Sequence, residues 1–321
     1  MAVTMTDLVK TARDDYNKKF IIDLARHKNA IWPMFPIETI GGLKVTGSRV
    51  NSLPTTGKRK LGGSWTASTG RTEEVQETLS IYGGEIEVDT IAALVESKPG
   101  IPGQLELQTQ LLRESMMYTF NNDFVNGDHG VDPDGLEGLS KRVTNGLSRY
   151  DLDLYSGASL DVLGSIANAN KFLNAVHAMI GYLGGVDVIV CNEKTRNGFG
   201  QTLRYLGQGN LLSQTKDNFE RTFETFMGAP IVDIGYKSDF STEIITNTKS
   251  ADTLGSEMYL IRKGGDEGLN LIQLKGSSPE PKDAVATTPK LVRRVEWALG
   301  LMNNSRNSSI GRIKGFKAFP F

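Results

Sequence analysis

LKVTGSRVNSLPTTGKRKLGGSWTASTGR, residues 43–71, decides how this chain is read. LKVTGSRV alternates apolar with other residues at period two, the pattern of a half-covered strand. LPTTGKRKLGG then gathers Pro, Gly and adjacent cations, which predicts the tip of a long β-hairpin. Across residues 39–72 the apolar side chains are few: Ile40, Leu43, Val45, Val50, Leu53, Leu61, Trp65 and Ala67. Lys44, Arg49, Lys58, Arg59, Lys60 and Arg71 are basic, and no acid appears. An isolated hairpin is marginal in water, and this one has little apolar surface with which to fold back on its own domain. It reads as a solvated loop, a nucleic-acid finger or a contact with another copy of the chain. The composition favours the third reading, with Lys58, Arg59, Lys60 and Trp65 as contact residues.

The charge then reverses. Glu73, Glu74, Glu77, Glu85, Glu87 and Asp89 follow, with no Lys or Arg among residues 73–89. Glu73, Glu74 and Glu77 are therefore the expected acidic partner surface for the hairpin of a second copy. Val75, Leu79 and Ile81 alternate with polar residues and predict a strand. Ile101-Pro102-Gly103 marks a helix start. Leu105, Leu112, Met116, Phe120 and Phe124 share one face of the helix, which runs to Asn126-Gly127. Leu112, Met116, Phe120 and Phe124 are the expected core of this long helix, about 102–126. Upstream, Leu8, Ala12, Tyr16, Phe20 and Leu24 form a helical stripe after the Thr6-Asp7 cap, and Trp32-Pro33 and Phe35-Pro36 force an extended path.

From about 147 the chain reads as α/β. Ser159 is the expected cap of a helix over 160–182, and a second helix is expected over 195–206. Val186–Cys191, MGAPIV (227–232), EIITN (243–247), MYLIR (258–262) and LNLIQL (269–274) read as strands. SSPEPKDAVATTP (277–289) reads as a loop by composition. LVRRVEWALGLM reads as a strand, followed by a polar turn and GRIKGF.

Composition narrows the function. Lys plus Arg is 36 and Asp plus Glu 37 in 321 residues, with hydrophobic residues at 39%. That balance excludes a disordered chain and a bulk polyanion binder. No apolar run approaches the ~18 residues of a membrane helix. The start, MAVTMTDLVK, lacks the apolar core of a secretory signal, so synthesis in the cytosol is expected. The single cysteine, Cys191, rules out an internal disulfide and lies in the apolar run VDVIVC, as a buried inert thiol does.

Motifs for catalysis, cofactors and metals fail on inspection. Asp132, Asp134 and Gly135 fit three positions of a calcium loop, but Gly130 and Lys141 stand where carboxylates are required. Gly198-Phe199-Gly200 follows a strand, but Leu203 occupies the third glycine position of a dinucleotide fingerprint. Gly42 and Gly47 have phosphate-loop spacing, but Ser48 replaces the lysine. His27, His129 and His177 show no zinc spacing, and His177 reads as a packed helix residue. No catalytic, cofactor or metal residues are assigned.

Taken in order, these elements resemble the major capsid proteins of tailed bacteriophages, with their Hong Kong 97-type fold. An arm, a basic hairpin (that family's E-loop), a strand and a long spine helix run into NNDFVNGDHGVDPDGLEGL (121–139). VIVCN (188–192), MGAPIV, EWALGL (296–301) and GRIKGF (311–316) are similar to later segments of the family. The resemblance implies an α+β capsid fold in five parts: arm 1–38, E-loop 39–72, peripheral domain 73–146, axial domain 147–275, and a return to the peripheral domain over 276–321. It implies hexamers and pentamers of the chain closing an icosahedral shell around double-stranded DNA held non-specifically. It further implies a virion capsid assembled in the host cytoplasm, no enzymatic activity, and portal and decoration proteins as partners. No long coiled region precedes the arm, so a scaffold, if used, is expected to be a separate protein. In some relatives an E-loop lysine crosslinks to a neighbour, a place Lys58 or Lys60 could take. An encapsulin-like compartment shares the fold; a soluble α/β enzyme built on 147–275 is the alternative of a different class.

Overall fold

The computed structural model describes residues 34–90, 104–145, 150–156, 159–216, 222–246, 255–264, 268–284, 289–303, 305 and 309–317. The stripe Leu8–Leu24, Trp32-Pro33 and the helix start at 101–103 lie outside the described residues. In chain order come β1 (Ile37–Ile40), β2 (Lys44–Ser52), β3 (Arg71–Thr78), β4 (Ser80–Asp89), α1 (Gln104–Asn126), α2 (Leu139–Thr144) and β5 (Tyr150–Asp153). Next are α3 (Ile166–Leu183), β6 (Val188–Cys191), α4 (Glu193–Tyr205), β7 (Leu212–Lys216), β8 (Thr222–Phe226) and β9 (Ala229–Asp233). The chain continues through β10 (Ser256–Ile261), β11 (Leu269–Leu274), β12 (Ser278–Ala284), β13 (Lys290–Asn303) and β14 (Ile310–Phe316). This is the α+β class expected.

β13 organises the first sheet. β4 pairs antiparallel along one of its edges, and β11 and β12 pair with successive parts of it, with β1 parallel to β11. The α1 side chains Met116, Phe120 and Phe124 are buried, and Leu112 packs against the same core half-buried. Phe120 meets Tyr82 of β4 edge-on at 5.5 Å between ring centroids, and Phe124 meets Phe35 likewise. The spacing read from the sequence thus marks the face of the helix that covers the sheet. The same core continues into Val188, Val190, Tyr259 and Ile261 of the second sheet, so one apolar body joins the two.

The second sheet runs β5-β14-β10-β6-β9-β8-β7. Phe172, Val176, Met179 and Leu183 of α3 and Phe199 and Leu203 of α4 pack in one cluster with its strands. Both helices are capped by side chains the sequence offers: Ser165 Oγ accepts from Asn168 N at 3.1 Å, and Asn192 Oδ1 accepts from Thr195 N at 2.8 Å.

Several expectations need correction. Ser159 does not cap α3, because Leu160 forms a bridge with Phe316 and Asp161–Gly164 turns before the helix begins. The described part of EIITN, residues 243–246, forms only an isolated bridge, from Glu243 to Tyr236, and no strand. Ile244 and Ile245 are buried, but their carbonyls accept from the side-chain amides of Asn126 and Asn192 instead of a ladder. Part of SSPEPKDAVATTP is a strand, β12, which lies at the end of the sheet order. Its pairing with β13 shifts register between Ser278 and Lys282, where Pro279 and Pro281 sit, and such an edge tolerates prolines. The domain limits also move. β11, placed in the axial part, lies in the β13 sheet, whereas β14 returns to the second sheet between β5 and β10. Gly311 permits that return: a Cβ there would run into Met179 Sδ on the covering helix.

Candidate interaction surface

The hairpin expected from residues 39–72 is present, with its second strand ending later than expected. β2 and β3 pair antiparallel from Lys44↔Thr78 to Val50↔Thr72, then shift to Ser52↔Arg71. Among the described residues their ladder joins no other sheet. At about 3.4 Å per residue, the nine residues of β2 reach about 30 Å. The base is closed by Leu79 N donating to Leu43 O at 2.9 Å. Alternation along β3 turns Glu73, Val75 and Glu77 inward, and Val75 is buried. Every residue from 50 to 72 is exposed.

The tip nevertheless has internal order. Gly63 N donates to Lys60 O at 3.0 Å, closing a turn whose Gly62 has φ 82°, a conformation that favours glycine. Arg59 Nη1 donates to Gly63 O at 2.9 Å, and its guanidinium lies 5.7 Å from the Trp65 ring centroid. Ser68 Oγ donates to Thr55 O across the loop at 2.9 Å. The arrangement presents Lys58, Lys60, Arg59 and Trp65 together, alongside Leu61, which is fully exposed, and Leu53, which is 81% exposed.

Glu73, Glu74 and Glu77 do not form a surface separate from the hairpin. They lie on β3, its second strand, because the ladder extends to Thr78 instead of ending at residue 72. Glu74 accepts from Gln76 Nε2, and Glu77 is held within the chain by Arg142. Further along, Lys290 Nζ lies 2.5 Å from Glu87 and Arg294 3.4 Å from Glu85. The Lys290 hydrogen bond and charge hold the Glu87 carboxyl below its ordinary range. Two cations of β13, distant in sequence, thus lie against two acids of the run, Glu85 and Glu87. Beside the hairpin base lies a groove of about 510 Å³, lined by Thr78, Ile81, His129, Asp134, Glu137 and Arg142 among others.

Arg142 went unnoticed in the sequence and is central here. Its side chain is 1% exposed. Nη1 and Nη2 donate to the two carboxylate oxygens of Glu77 at 2.5 and 2.9 Å, Nε donates to Glu137 O at 2.8 Å, and Nη2 also reaches Leu301 O at 3.3 Å. The fork therefore ties β3, the loop before α2 and β13 together. The sequence signal was the i, i+4 pair Leu139 and Val143, both buried, which places α2 against the core with Arg142 beside them. On another side of α2, Arg312 of β14 donates to Ser140 Oγ at 3.2 Å and grips Asp151 of β5 with bonds of 3.0 and 2.6 Å. Burial pushes the Asp151 carboxyl up, but the bonds and charges of Arg312 and Lys314 outweigh it and leave it below its ordinary value.

Other chemistry-bearing residues serve structure. Burial and the nearby Asp233 push the Cys191 thiol well up, keeping it protonated and unreactive. Asp128 Oδ1 accepts from Gly130 N and Asp132 Oδ1 from Asp134 N, so these carboxylates shape turns. Gly198 and Gly200 lie inside α4, away from any strand-to-helix turn. His177 is exposed on α3, edge-on to Phe226 at 5.4 Å. Among the described residues no group of three or more His, Cys, Asp or Glu could hold a metal ion.

No protein-family model matches the chain, and no curated protein matches it. Solved structures do. The SrpI encapsulin complex of Synechococcus elongatus aligns over 90% of this chain and 88% of its own, with 11% identity and a TM-score of 0.63. A structure of Mycobacterium phage Ogopogo aligns over 90% and 92%, with 10% identity and a TM-score of 0.58. The capsid of a native GTA particle aligns over 89% of both chains, with 13% identity and a TM-score of 0.56. The chain therefore has the Hong Kong 97-type fold, shared by shell proteins of phages and of protein compartments.

Proposed function

We propose that this chain is a non-enzymatic shell protein whose copies assemble as hexamers and pentamers into a closed icosahedral particle. The observation that carries the reading is the projecting hairpin. From 50 to 72 it touches water on every residue, yet it displays Leu53, Leu61 and Trp65 beside three cations. Covering a large apolar side chain contributes roughly 1.5–3 kcal/mol. Three such side chains amount to about 5–9 kcal/mol, of the same order as the ~4–15 kcal/mol cost of association. A single hairpin contact is thus marginal, and many linked contacts closing a shell make the whole stable. Lys58, Arg59, Lys60 and Trp65 lie on a neighbouring copy in this reading, while the Leu112–Phe124 face of α1 stays inside its own subunit.

Double-stranded DNA is the proposed content, enclosed rather than tightly bound, because the net charge of −1 gives no general attraction to a polyanion. The site of action is then a virion capsid, assembled in the host cytoplasm with scaffold, portal and decoration proteins as partners. The likeness to the SrpI encapsulin favours a second reading, a compartment enclosing a protein cargo. Electron microscopy of the purified protein tests the common part: closed particles support it, and a species that stays monomeric at all concentrations overturns it. The content of particles recovered from the native source, DNA or protein, separates the two readings.

A further inference from the structure

We propose that Arg142 is the positioning residue of the hairpin. In this view it sets the angle at which β2 and β3 leave the body, and through that angle the curvature to which the copies close. The inference rests on the shell reading above and adds a determinant of particle geometry. Three observations lead to it. First, the hairpin has few attachments among the described residues: its ladder joins no other sheet there, and the inward-facing residues of β3, Glu73, Val75 and Glu77, lead to buried Leu79 at the base. Apolar packing of Leu79 and Val45 resists detachment but is not directional. Second, the Glu77–Arg142 pair is directional, because a planar guanidinium meets a carboxylate in one orientation when both prongs are used.

Third, Arg142 is itself fixed. Its Nε is bonded to Glu137 O and its Nη2 to Leu301 O of β13. The six-residue α2 that carries it is gripped through Ser140 by Arg312, which is bound to Asp151 in the second sheet. A continuous polar path therefore runs from the hairpin base through α2 to the second sheet. A lever about 30 Å long turns a small change at this base into a large displacement at Lys58–Trp65.

The test exchanges the ion pair for apolar side chains of similar size, Glu77→Leu with Arg142→Met. Such exchanges of a buried pair commonly preserve stability. The expected result is a folded subunit that melts somewhat lower, because the Glu137 and Leu301 carbonyls lose their donor, and whose particles lose their single diameter and include open sheets. Arg142→Lys keeps the charge but only one prong, and it is expected to close particles with a broadened range of diameters. A purely structural role would lower the melting temperature and leave diameter unchanged. Particles of unaltered diameter and yield from the paired variant overturn the proposal; should that variant fail to fold, an unchanged narrow diameter from Arg142→Lys does so. If the unaltered chain forms no shell, the underlying shell reading fails, and this inference falls with it.

Discussion

β10 and the outer hairpin are both strand segments of one chain, and they achieve order by opposite means. Every residue of SEMYLI is buried, between β14 and β6, with Met258 and Leu260 in the cluster that takes in α3 and Tyr259 and Ile261 in the one that takes in α1. Every residue from 50 to 72 is exposed. β10 is specified by apolar contact, including charged Glu257 tolerated near Arg312 at 3.9 Å. The hairpin is specified by its ladder, a glycine turn and the Arg59–Trp65 stack. A strand of the first kind serves its own subunit. On the shell reading proposed above, one of the second kind is finished by contact with another copy, because a two-stranded sheet alone is marginal.

The sharpest way to break this contrast is to damage each side and compare. Met116→Asp places an unpaired carboxylate among buried side chains and is expected to cost on the order of 4 kcal/mol. The dissociated subunit should melt far lower, and assembly should fail because folding does. Leu61→Ala with Trp65→Ala should change subunit stability by no more than about 0.5 kcal/mol, yet remove closed particles from electron micrographs. Calorimetry of both variants decides: a hairpin variant that melts as low as Met116→Asp would mean that the tip is packed on its own body.

What the sequence disclosed follows the same division. Period-two alternation in LKVTGSRV and the four-residue spacing of Leu112, Met116, Phe120 and Phe124 are local signals, and the hairpin and helix appear where they point. The ordered set of such segments also made the fold legible. The assignment of strands to sheets was not local. GRIKGF was expected with the peripheral part but joins β5 and β10, where Gly311 leaves room for Met179 of α3. The acidic run likewise looked free because its cations, Arg142, Lys290 and Arg294, lie far along the chain. Charge along a sequence shows what a segment carries, not what has already met it.

A smaller effect is expected from the charges of the tip. Lys58, Arg59 and Lys60 are exposed, and contacts between exposed charges are weak and screened. Reversing all three to Glu should lower the yield of particles at low ionic strength. The gap from the unaltered protein should narrow near 1 M salt, where the Debye length is ~3 Å. Light scattering across a salt series measures this. Equal yields for the two proteins throughout would assign hairpin docking to Leu53, Leu61 and Trp65 alone, and would sharpen the contrast with β10 into one of where apolar surface is covered.

The smallest effect belongs to the body and not to the hairpin. Asp151, gripped by Arg312 and Lys314, has a carboxyl held below its ordinary value. The unfolded chain, with an aspartate near pKa 3.9, binds that proton first as the solution is acidified. Stability from this group is therefore fully present above about pH 5 and is lost as pH falls through the lowered pKa of the folded state. Asp151→Asn removes the ion pair, so the variant should melt lower than the unaltered subunit at neutral pH. Their difference should shrink as the pH drops below about 4. Melting curves of dissociated subunits at a series of pH values check the sign. A difference that stays constant into acid would mean that the Asp151–Arg312 bonds do not depend on the carboxylate charge. The grip on α2 would then be one of shape, and the polar path from the second sheet to the hairpin base would lose its electrostatic link.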